Sequence, residues 1–120
     1  MVQDAKPPFD VMAGGCPSRA VLEHVTSRWG ALTLAVLGAE PARFGELRRR
    51  NAGISEKMLS QTLKLLEADG LVDRRVQSTL PPHVDYALTP AGEKVAAAVQ
   101  QLIGTVYEVM PEVMRTAQSA

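Results

Sequence analysis

At 120 residues the chain is one domain of ordinary size, and 46% hydrophobic against 22% charged residues exclude a disordered composition. Thirteen basic and thirteen acidic side chains cancel, which argues against indiscriminate nucleic-acid binding but not against a local basic face. The single cysteine excludes an internal disulfide or a thiolate metal cluster. No apolar run approaches membrane-spanning length and the start lacks a signal-peptide pattern, so a cytoplasmic protein without membrane contact is expected. Aromatics amount to only 4%, so aliphatic side chains must supply most of the core.

Residues 1–15 carry prolines and glycines without a clean period and predict a flexible arm. Cys16-Pro17 then suits the start of a helix, with cysteine at the N-cap and proline at the first helical position. This first helix should reach about Val25, and the nearly continuous apolar run Trp29 to Leu37, closed by Gly38, predicts a buried second helix. Pro41-Ala42 suits a short edge strand or a turn. From Arg43 to Arg50 a short third helix would turn Phe44 and Leu47 inward and its arginines outward.

After the polar turn Asn51-Ala52-Gly53, Ser55 is a good N-cap, with Ile54 and Leu59 at the positions of a hydrophobic staple. Gly70 can end this fourth helix in the left-handed conformation, with Leu71 packing back on Leu66. On the wheel, Met58, Leu59, Thr62, Leu63, Leu65 and Leu66 fall on one half, and Lys57, Ser60, Gln61, Lys64 and Ala68 on the other. A short helix, a glycine turn and a longer helix with a polar outer face make a helix-turn-helix arrangement.

Beyond Gly70 the period changes to two: Val72, Arg74 and Val76, then Val84, Tyr86 and Leu88, predict two strands. The loop 77–83 joins them into a wing. Thr89-Pro90 begins a last helix that should end near Met110, before Pro111, leaving 111–120 as a tail. Along it Val95, Val99, Leu102, Val106 and Val109 form a heptad-like seam, which suits either a dimer surface or the protomer's own core. The predicted class is α+β, mostly α: a winged helix-turn-helix over 16–110 with N- and C-terminal dimerisation helices.

Several of these segments together resemble one known family. They are Cys16-Pro17, Trp29, Arg43-Phe44-Gly45-Glu46-Leu47-Arg48, Ile54-Ser55-Glu56-Lys57-Met58-Leu59, Leu63, 66–72, Pro81-Pro82, Val84, Tyr86, Leu88-Thr89 and Gly92. The combination, spanning roughly 16–105, resembles the HxlR-type winged helix-turn-helix family of bacterial transcription regulators, within the MarR-like superfamily. The chain departs from the family at Ser27-Arg28 and Gly30 around the tryptophan, at His83 for a usual arginine, and at Asp85 for a usual glutamate. The resemblance implies a homodimer built from the first and last helices, adding Val21 and Val25 to the seam. It also implies two recognition helices in successive major grooves. Many members of the family answer to oxidants or electrophiles through the N-terminal cysteine, here Cys16.

The expected partner is therefore double-stranded DNA, with no cofactor and no metal site. Within 42–83 eight basic residues face five acidic ones, a surplus of three. Ser55, Lys57, Ser60, Gln61 and Lys64 are the expected groove contacts, because glutamine can pair bidentately with adenine and lysine with guanine. Arg43 and the N-terminus of the fourth helix should hold phosphate. In the wing, Arg75, Ser78, Thr79 and His83 should reach the backbone or a minor groove. Arg48, Arg49 and Arg50 suit a solvated charge run as well as phosphate contact.

Cys16 at a helix N-terminus, with Arg19 one turn on, would favour thiolate and could act as a redox switch toward a small oxidant or electrophile; the alternative is an inert, half-buried cysteine. His24 and His83 are too far apart in sequence, and too poor in nearby ligands, to suggest a metal site. Two rival functions are a winged helix used only for protein contacts and a thiol peroxidase. The second lacks a positioned base, an oxyanion site and a resolving cysteine.

Overall fold

The computed structural model describes residues 8–78 and 80–119. Five helices and three short strands follow one another as α1 (Pro17–Thr26), α2 (Arg28–Leu37), β1 (Ala42–Arg43), α3 (Phe44–Arg50), α4 (Glu56–Ala68), β2 (Val72–Gln77), β3 (His83–Leu88) and α5 (Pro90–Ser119). The strands form one antiparallel sheet in the order β1-β3-β2, with Ala42 opposite Tyr86 and Val72 opposite Leu88. This is a winged helix-turn-helix, mostly helical.

Local chemistry accounts for the boundaries of α4. The Ser55 hydroxyl accepts the Met58 N–H at 3.0 Å, satisfying a donor that the first turn leaves orphaned. At the other end Gly70 takes φ +78°, so the Leu71 N–H reaches the Leu66 carbonyl and the Gly70 N–H the Glu67 carbonyl, each at 3.0 Å. Those two bonds complete the Schellman close. Ser27, which the sequence pattern did not single out, caps α2 by accepting the Gly30 N–H.

The core gathers Leu34 and Leu37 of α2, Leu47 of α3, Leu59, Leu63 and Leu66 of α4, Val72 of β2 and Ala96 and Val99 of α5. Each such leucine, fully withdrawn from water, contributes on the order of 1.5–3 kcal/mol. Trp29 packs on the edge of this cluster, with the Arg28 guanidinium 5.1 Å from its ring centroid. The buried Asn51 amide donates to the Thr33 hydroxyl at 3.1 Å, which ties the turn before α4 to α2.

Four expectations need correction. The last helix does not stop at Met110: it runs through Pro111 to Ser119, so the supposed tail 111–120 is helical through Ser119. Proline deprives one carbonyl, that of Tyr107, of its helical donor, and Tyr107 is exposed enough for water to substitute. The described part of the arm is not loose. Around Asp10 and Ala13 it forms turns that bring the Asp10 N–H to Cys16 Sγ at 3.4 Å and end with the Cys16 N–H on the Ala13 carbonyl.

Val25 and Val99, expected at a dimer surface, are buried in the protomer's own core. They lie where α1 and the first half of α5 cover α2 and α4. Leu102, Val106 and Val109 are exposed, and the same spacing continues to an exposed Val113. The seam therefore divides: its first half is internal and its second half is open. Finally, Met58 and Leu65 do not face inward; they are 40% and 46% exposed, because the core contacts of α4 narrow to Leu59, Thr62, Leu63 and Leu66.

Candidate nucleic-acid interface

The four buried positions of α4 centre on the side of Leu59 and Leu66. At about 100° per residue, the opposite side falls between Lys57 and Ala68, with Gln61 next to them. From one edge to the other, the exposed residues there are Lys64, Lys57, Ala68, Gln61, Leu65 and Met58. Glu56 and Glu67 lie off to the flank, so no carboxylate shares this face. Neither Lys57 nor Lys64 has an ion-pair partner among the described residues. Ser60 is half-buried at the margin, and Ser55 is committed to its cap.

The other basic residues sort differently. On α3, Arg48 is held by Glu56 at 3.2 Å and Arg49 by Glu46, leaving Arg50 without an ion-pair partner among the described residues. In the sheet, Asp85 on the central strand stands opposite Arg43 on β1 and Arg75 on β2. Its carboxylate lies 3.9 Å from Arg43 Nε and 3.8 Å from His83 Nε2, and accepts the Gln77 amide at 3.1 Å. Arg43 and His83, expected to be free for phosphate, thus lean on Asp85. Arg74 and Arg75 are exposed and have no ion-pair partner among the described residues, and Ser78 is exposed at the wing tip. Thr79 lies outside the described residues.

Two polar links fix this unit to the long helices. Asp69, the C-cap of α4, accepts or shares a proton with His24 Nδ1 of α1 at 2.7 Å. Next to it, the Thr89 hydroxyl donates to the Gly70 carbonyl at 2.6 Å and accepts the Gly92 N–H at 2.9 Å, which caps α5 against the end of α4. These bonds join α1 and the start of α5 to the C-terminal end of α4.

Cys16 stands at the N-cap of α1, partly exposed. Its Sγ lies 3.2 Å from the Ser18 hydroxyl and accepts the Asp10 N–H. Hydrogen bonding from Ser18, then from the Asp10 backbone, lowers the thiol pKa below its ordinary value. Arg19 takes no part: it turns to Glu23 at 3.6 Å and to the Met12 carbonyl.

Between α1 and α5 an open groove of about 400 Å³ is lined by Leu22, Val25, Val95, Ala98, Val99 and Leu102, almost wholly apolar. No group of three or more His, Cys, Asp or Glu among the described residues could hold a metal ion. No helix of the described residues is long and apolar enough to cross a membrane.

Residues 24–114 match the profile of the HxlR-like helix-turn-helix family. The chain is 49% identical over 105 residues to the HTH-type transcriptional regulator YtfH of Escherichia coli K12, covering 88% of this chain and 83% of that one. Among solved structures it is similar to a transcriptional regulator ytfH from Salmonella typhimurium, with TM-score 0.83, 45% identity and coverage of 92% and 98%. It is also similar to the redox regulator HypR in its oxidized form, with TM-score 0.71, 32% identity and coverage of 78% and 96%.

Proposed function

The chain belongs to the HxlR-like helix-turn-helix family of transcriptional regulators, which are not enzymes, and from that premise we propose that it binds duplex DNA sequence-specifically as a homodimer. The observation that carries this reading is the α4 face around Gln61, with unpaired lysines and no carboxylate, turned away from the core. Gln61 and the lysines read base edges in the major groove, while Arg74, Arg75 and Ser78 of the wing hold the backbone.

The second copy docks on the open half of the α5 seam, Leu102, Val106, Val109 and Val113, and on the groove beside α1. A twofold pair places two α4 helices on half-sites one helical turn apart, so the operator is (pseudo)palindromic. Fluorescence anisotropy on a duplex recovered by selection from a random pool tests the reading. Affinity falls steeply with salt and exceeds that for unselected DNA. A flat salt response would instead mark a protein-interaction module. Replacing Leu102 and Val106 by glutamate yields a monomer in light scattering and, by losing the second half-site, weakens operator binding about 10²–10⁴-fold.

Cys16 serves as a redox switch. With one cysteine per chain, oxidation joins two Cys16 thiols across the dimer, or one to a small thiol; diamide takes up the two electrons and two protons released. The lowered pKa supports this: at any given pH a larger share of Cys16 is thiolate than in a free cysteine, and reactivity falls as pH drops through a midpoint below that of a free thiol. Iodoacetamide labelling against pH checks the midpoint. Diamide changes the operator affinity of the wild type and leaves Cys16→Ser unchanged; equal responses would overturn the switch.

A further inference from the structure

We propose that Met58 and Leu65 read the 5-methyl groups of two thymines, one on each side of the base pair that Gln61 contacts. The inference rests on the reading of α4 as the groove-binding helix and names part of what that helix selects.

Met58 precedes Gln61 by three residues and Leu65 follows it by four, so both are its neighbours on the helix surface. Both are large, apolar and exposed at 40% and 46%, on a helix whose core requirement four other residues already meet. They form one edge of the outward face, and Lys57 and Lys64 form the other. A partner for this face must therefore be anionic, offer hydrogen bonds at its centre and carry apolar groups along one side.

In the major groove the base edges present one apolar group, the C5-methyl of thymine. Against any other base edge, Met58 and Leu65 would strip water from donors or acceptors without replacing it, at a cost in affinity. Their seven-residue separation is about 10.5 Å along the helix axis, which matches about three base-pair rises of 3.4 Å. The half-site is thus expected to hold two A·T pairs about three steps apart, on either strand, with the pair read by Gln61 between them.

The test uses the selected duplex with each thymine replaced singly by deoxyuridine, which removes the methyl and leaves every hydrogen-bonding group. Two positions per half-site should each lose about fourfold in affinity, the factor that burying one methyl at about 0.8 kcal/mol gives. In Met58→Ala the loss should disappear at one of these positions, and in Leu65→Ala at the other. Uridine and thymine duplexes of equal affinity would overturn the proposal while leaving DNA binding intact. A persistent methyl effect in both variants would also overturn it, by assigning the methyls to other residues. If no sequence is enriched from the pool, the proposal falls together with the reading beneath it.

Discussion

The two helices of the helix-turn-helix differ in charge and in what that charge is free to do: α3 carries three arginines and one glutamate, α4 two lysines and two glutamates. Three of the seven residues of α3 are arginines, yet Glu56 at the start of α4 pairs with Arg48 and Glu46 of α3 itself pairs with Arg49. The thirteen-residue α4 has only two lysines, and both are unpaired on the side opposite the core. α4 also begins with a serine side-chain cap, whereas α3 begins at Arg43 without one. A count of basic residues alone favours α3 over α4. What marks a nucleic-acid face is cations left without carboxylates, on an element whose position is over-determined by burial and capping.

That contrast can be broken by substitution. The largest effect is expected from Gln61→Ala, which should cost about 1–3 kcal/mol on the selected site and little on random DNA. An equal loss on both would reduce Gln61 to a non-specific contact. Ser55→Ala should lower folding stability by about 1 kcal/mol in chemical denaturation, whereas Arg43→Ala should leave the start of α3 almost unaffected. Lys64→Ala should reduce the slope of log affinity against log salt by about 0.9 if it neutralises one phosphate. Arg49→Ala should leave that slope unchanged and alter stability by at most about 1 kcal/mol, as for an exposed ion pair.

Much of this was legible in the chain because local rules and burial agree. Ser55, Gly70, Cys16-Pro17 and Thr89-Pro90 mark helix ends by capping chemistry that needs no tertiary information, and each stands where it was expected. The failures came where a wheel diagram must guess how wide the buried stripe is. Met58 and Leu65 are apolar and lie within reach of the inward half, but α4 is covered by α2, β2 and α1 only across a narrower arc. The same limit affects α5: its heptad spacing is real, yet Val99 is buried while Leu102, three residues on, lies open at the groove beside α1.

Pairings distant in sequence were the least legible. Nothing local signals that His24 meets Asp69 forty-five positions on, or that Asp85 draws Arg43 and His83 together. Both depend on the fold bringing separate elements into register. Pro111 misled for the opposite reason: a strong local rule was overridden at a solvent-exposed turn, where the lost hydrogen bond costs least.

The central claim is that the Gln61 face of α4, and not the arginine face of α3, lies against the base edges. A benzophenone amino acid placed at position 61 or at position 49, irradiated on the selected duplex, addresses it directly. Position 61 should crosslink to bases within each half-site, and position 49 should give none. Crosslinks from 49 to bases, or none from 61 on a duplex that remains bound, would contradict the account.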